Sequence, residues 1–132
     1  MVKKYFKKII AQSPQDLQVI SACCEGGKIK IEEIKNLPKN KIFLFLIERN
    51  AREKENPKEK VKSIVKFEYI EKSKSKNIDR TKVDSFVELT AINLFKNNKN
   101  YEITLLFSDN GIITLTAEIV EAVLEDQSKI ND

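Results

Sequence analysis

Apolar and polar residues alternate in period two over much of this chain, and one stretch shifts to the period of a helix. The pattern predicts a short first strand over Tyr5–Ala11. Ser13-Pro14-Gln15-Asp16 then signals a helix: Ser13 can cap it, Pro14 suits its first position, and Asp16 meets the positive end of its dipole. Leu17, Ile20, Ser21 and Cys24 recur on one face, with Val19 and Cys23 beside them, and Gly26-Gly27 ends the run.

Lys28-Ile29-Lys30-Ile31-Glu32 alternates as a half-buried strand, and Asn36–Asn40 reads as a turn. Lys41–Ile47 is apolar on both parities, which predicts a covered central strand. Residues 50–60 mix charges around one Pro and read as a mobile, solvated loop. Val61, Val65, Phe67 and Tyr69 share the core parity of the next strand. On the opposite parity stand Lys60, Lys62, Lys66, Lys72, Lys74 and Lys76, interrupted by Ile64, Glu68 and Ile70.

Phe86–Phe95 predicts a second two-sided strand, turned at Asn97–Asn100 into Tyr101, Ile103, Leu105 and Phe107 facing inward. Asp109-Asn110-Gly111 reads as a hairpin turn, with Asn-Gly at its left-handed positions, and Ile113, Leu115 and Ala117 return from it. Ile119, Val120, Val123 and Leu124 fit a helical face, so a C-terminal helix is expected over Glu118–Asp126, with a frayed tail over 127–132. The order is β-α-β-β-β-β-β-β-α, and its short links imply antiparallel pairing. The fold class expected is α+β. It is a curved, mainly antiparallel sheet or a partly closed barrel like that of pleckstrin-homology domains, with two helices on its core.

Composition narrows the chemistry. A length of 132 residues suits one domain, and 41% apolar residues suffice for a core. The chain has no His, which excludes Ser-His-Asp or Cys-His catalysis and His-ligated metals. No metal or cofactor is expected. The adjacent Cys23 and Cys24 pair poorly with each other and fit reduced thiols in a cytoplasmic protein. No apolar run is long enough to span a membrane.

The formal charge of +4 is unevenly spread: residues 1–82 carry 21 of the 24 basic side chains, and residues 83–132 carry 9 of the 20 acidic ones. Lys60, Lys62, Lys66, Lys72, Lys74, Lys76, Arg80 and Lys82 are therefore the candidate contacts for nucleic acid or another anion. The same lysines would serve equally to keep a strand's wet face from aggregating. Glu118 and Glu121, three apart on the expected helix, are the weaker candidate for acid–base chemistry. Gly26-Gly27 lacks the spacing of a phosphate loop.

Val19-Ile20-Ser21-Ala22, then Leu37-Pro38 and Phe43, resemble the opening of the alphaproteobacterial domain of unknown function, DUF family 2948. Lys62-Ser63, Lys66-Phe67-Glu68 and Ile78-Asp79 resemble its basic-Ser-x-x-basic-Phe-acidic stretch and closing Ile-Asp. Leu89, Ala91, Ile92, Glu118, Glu121, Ala122 and Leu124 resemble its C-terminal part. The resemblance spans roughly residues 6–126 and implies a one-domain bacterial cytoplasmic protein with no established activity. It also implies two departures, since the family's pattern has His at the position of Cys23 and Cys at that of Ile119. Three functions stay in play: a non-catalytic adaptor that contacts another protein, a nucleic-acid- or anion-binding module, and a small enzyme using Lys and Glu.

Overall fold

The fold comes from a computed structural model, which describes residues 7–50 and 60–129. Its ten strands are β1 (Lys8–Ala11), β2 (Lys28–Lys30), β3 (Ile34–Leu37), β4 (Ile42–Asn50), β5 (Lys60–Phe67), β6 (Ile70–Lys76), β7 (Phe86–Asn97), β8 (Asn100–Phe107), β9 (Ile112–Ala117) and β10 (Ala122–Lys129). One helix, α1 (Pro14–Cys24), lies between β1 and β2. Each pairing is antiparallel, and the strands form one open sheet in the order β1-β10-β5-β4-β2-β7-β8-β9-β6, with β3 also on β4.

The helix forms as its sequence predicts. Ser13 Oγ accepts from the Asp16 amide at 3.1 Å, Pro14 opens the first turn, and Gly26 leaves the helix with φ of 82°. Leu17, Ile20 and Cys24 are buried, whereas Val19 points to solvent. The core they join draws on most strands, with Phe43, Phe45, Ile47, Val65, Phe67, Leu89, Leu105 and Leu115 at its centre. Burying each such side chain contributes about 1.5–3 kcal/mol of transfer free energy.

Several expectations need correction. The segment 118–129 is not a helix: Ala122–Lys129 is β10, a strand held between β1 and β5. Its core parity is Ala122, Leu124 and Asp126, and two apolar steps followed by a carboxylate hide the alternation. Gln127–Lys129 belong to this strand too, so the tail does not begin at 127. The turn expected at Asn36–Asn40 starts later. Ile34–Leu37 is β3, and Pro38–Asn40 is a single 3-10 turn. The strand expected over 28–32 stops at Lys30, because a 3-10 turn follows at Ile31–Glu33. At the second hairpin the left-handed residues are Asp109 and Asn110, and Gly111 is extended. Of the loop expected over 50–60, Asn50 ends β4 and Lys60 opens β5, and positions 51–59, like Tyr5 and Phe6, lie outside the described residues.

One bend organises the sheet. β5 runs into β6 through Glu68–Tyr69, and β9 runs into β10 through residues 118–121. The two strand pairs turn together: Glu68 N–H donates to Glu121 O at 2.9 Å, and Glu118 N–H to Tyr69 O at 3.1 Å. Tyr69 takes φ of 60°, a conformation rare for a bulky residue. It therefore leaves the core parity and stands exposed, while Ile70 turns inward.

Candidate functional site

The eight candidate cations do not share one face. Lys60, Lys62 and Lys66 lie on the outer parity of β5. Lys62 Nζ sits 3.5 Å from Glu33, and Lys66 Nζ 3.7 Å from Glu68, so two of the three are charge-paired. The bend at Tyr69 would then flip the later lysines inward. A bulge between Ile70 and Lys72 reverses the parity again, and Lys72, Lys74 and Lys76 emerge on the outer side of β6. They are exposed, and among the described residues no acidic group lies within ion-pair distance of them. Arg80 is tied elsewhere, donating to Ile34 O at 3.2 Å, and Lys82 lies in the turn after β6. The predicted ladder is thus two separate groups.

Ser63, Ser73 and Ser75 fall on the opposite parity from the lysines, as the alternation predicts. Ser63 belongs to a buried cluster that sequence reasoning did not find. Arg49 Nη2 donates to Asp126 Oδ1 at 2.9 Å, Arg49 Nε to Ser63 Oγ at 3.0 Å, and Ser63 Oγ to the same carboxylate at 2.6 Å. The Lys7 amide reaches Asp126 Oδ2 at 3.0 Å. Burial pushes the Asp126 carboxyl up, but the bonds from Ser63, Lys7 and Arg49 together outweigh it and hold it below the usual carboxylate range. All three side chains are bonded to one another and closed to solvent, so the cluster is a clasp joining β4, β5 and β10.

Glu118 and Glu121 do not form a catalytic pair. They lie in the bend before β10, where Glu118 faces Lys41 at 3.4 Å and Glu121 accepts from Gln12 at 3.1 Å. Among the described residues no group of three or more Cys, Asp and Glu could hold a metal. Neither cysteine is in a disulfide; Cys24 is buried and Cys23 half-buried.

One open feature is the edge of β7. The β7–β8 hairpin closes at Asn97 and Asn100 over a two-residue loop. The closing pair of such a hairpin is hydrogen-bonded, and bonded and non-bonded pairs then alternate. Asn97, Phe95, Asn93 and Ala91 therefore bond to β8. Ile92, Leu94 and Lys96 turn their N–H and C=O groups the other way, toward α1. The Ile92 amide confirms the assignment, since it donates to Ser21 Oγ at 2.9 Å. Farther back, Leu89 and the glycine pair exchange two bonds, Gly26 N–H to Leu89 O and Leu89 N–H to Gly27 O.

Beyond Ile92 the helix stands off. No backbone bond outside the β8 ladder reaches Leu94 or Lys96 among the described residues. The gap is a groove of about 360 Å³, lined by Pro14, Leu17 and Gln18 of α1 and by Ile92–Phe95. Phe95 flanks it at 56% exposure. Sequence patterning marks β7 as two-sided but cannot show that half of one edge lacks a neighbouring strand.

No described helix is long and apolar enough to cross a membrane. Among curated proteins and solved structures, none matches the chain. The model of the family described as a protein of unknown function (DUF2948) matches residues 7–131, nearly the whole length. The protein therefore belongs to the DUF2948 family.

Proposed function

We propose that this protein is a non-catalytic binding module that accepts an extended segment of another protein on the edge of β7. The observation that carries this reading is the set of unpaired backbone groups of Leu94 and Lys96, with Leu94 lining a groove beside α1. Such groups demand an extended backbone as their partner, and the adjoining groove supplies a place for its side chains. Phe95 adds exposed apolar surface where an unoccupied edge would ordinarily be blunted by charge.

The rest of the molecule supports the same reading. The bend shared by β5–β6 and β9–β10 favours a partly closed barrel of the pleckstrin-homology kind, with α1 beside its open flank. Cys23 and Cys24, neither of them in a disulfide, suit a reducing cytoplasm. A nucleic-acid module built on all eight cations is disfavoured by their division into paired and unpaired groups. An enzyme built on Glu118 and Glu121 is disfavoured by the separate partners of the two carboxylates.

The test is peptide display selection on the native protein, followed by amide chemical-shift mapping of the enriched peptides. The reading expects shifts at residues 92–96 and 14–18. Binding should fall in Gln18→Trp, which fills the groove, and in Lys96→Pro, which removes one unpaired N–H without touching the β8 ladder. Enriched peptides that leave both segments unshifted, or no enrichment at all, would overturn it.

A further inference from the structure

The opposite edge of the same half-sheet, β6, has its own chemistry. We infer that the free edge of β6 is a second binding site, selective for an acidic extended segment whose carboxylates stand at every other residue. The site is separate from the β7 groove, since β8 and β9 lie between them.

The geometry follows from the ladder. With Ala91, Asn93 and Phe95 bonded to β8, the alternate residues of β8, Tyr101, Ile103 and Leu105, bond to Ala117, Leu115 and Ile113 of β9. The remaining residues of β9, Thr116, Thr114 and Ile112, then bond to Lys72, Lys74 and Lys76. Ser73 and Ser75 are left with N–H and C=O groups directed at the open edge. At Ile70 that edge is already taken, because the Ile70 amide donates to Lys41 O at 2.9 Å. From Ser73 onward no such bond exists among the described residues, and Ser75, although on the core parity, is exposed.

A strand added here would bond to Ser73 and Ser75. Its residues opposite Lys72, Lys74 and Lys76 would fall in the non-bonded pairs, where facing side chains come closest. A carboxylate at each of those positions meets one ammonium across the strand gap. Thr114 and Thr116 flank the lysines on the other side without charge, and Glu71 is the one acidic residue of β6. The edge therefore repels lysine-bearing copies of itself and accepts a strand of opposite charge, so the same three residues both block and select.

The experiment compares two end-blocked peptides of one composition on the full chain. One alternates glutamate with threonine, and the other places all its glutamates in a block before all its threonines. The alternating peptide should shift the amides of Ser73 and Ser75 and bind about tenfold more tightly than the block peptide, with affinity that falls as salt rises. In K72E/K74E/K76E, whose changes are all on exposed side chains, the alternating acidic peptide should lose binding, and its counterpart with lysine in place of glutamate should gain it. Melting curves of the variant confirm that it folds, and K72Q/K74Q/K76Q repeats the loss without charge reversal. Equal binding of both acidic peptides and of inorganic polyphosphate would reduce the edge to a diffuse polyanion surface and overturn the inference. Absence of binding by the alternating peptide would overturn it as well. Either result leaves the β7 reading standing, because the amides followed there are different.

Discussion

Asp126 faces the core of β10, where an apolar residue would ordinarily sit, and it remains charged because Ser63, Lys7 and Arg49 all donate to it. Removing its charge takes away the carboxylate that the buried Arg49 guanidinium meets at 2.9 Å. Asp126→Asn should therefore cost about 3 kcal/mol, read from urea unfolding at neutral pH. Its carboxyl titrates lower in the folded chain than in the unfolded one, so the unfolded chain takes up the proton first as acid is added. The stabilisation is thus complete above the ordinary carboxylate pKa of about 3.9 and fades as pH falls through the lower folded value. The stability gap between the parent protein and Asp126→Asn should narrow below about pH 4; a gap independent of pH would count against a charged Asp126. Gly27 illustrates a constraint of packing at the same scale. A Cβ there would come within 2.5 Å of Ile47 Cδ1, which is why the chain can turn so tightly between α1 and β2.

Among the elements, β7 is bonded along one edge and only partly along the other. The alternation of its groups has a direct readout in hydrogen exchange. The amides of Asn93 and Phe95, inside the β8 ladder, should exchange slowly, and those of Leu94 and Lys96 should exchange faster by at least about tenfold. Uniform protection over 93–96 would mean that the edge is covered, and the β7 binding proposal would fall with it. The element that sequence patterning misreads is β10. Ile119, Val120, Val123 and Leu124 satisfy a helical spacing, yet no helix-starting cap stands before them and β1 and β5 claim the backbone of Ala122–Lys129. A short apolar run is ambiguous in period, and the strands on either side decide it. By contrast, α1 is legible because its cap, its proline and its glycine stop are all local.

For the molecule as a whole, nine of the ten strands follow one hydrogen-bonded path, with β3 joined to β4 beside it, over one core. No subset of them buries a core of its own, so the chain should unfold as a single domain. Far-ultraviolet circular dichroism and tyrosine fluorescence should give coincident urea transitions. Two separated transitions would show that the halves meeting at the Tyr69 bend fold independently. The charge imbalance seen along the sequence also changes meaning at this scale. Among the described residues the basic first part does not form one basic face, because Glu33 and Glu68 pair with two of the three β5 lysines while β6 carries its three to the far edge.

By itself the sequence determined the helix and its limits, the hairpins at 97–100 and 107–111, the antiparallel class and the core parity of β5, β8 and β9. These rest on dihedral preferences and on side-chain alternation, which act over a few residues. Only the tertiary structure decided that 122–129 is a strand, that Tyr69 leaves the core, that Asp126 and Arg49 meet inside it, and that the lysine ladder is broken in two. It alone decided which edges stay open. An edge is defined by the strand that is missing beside it, and that depends on residues far away in the chain.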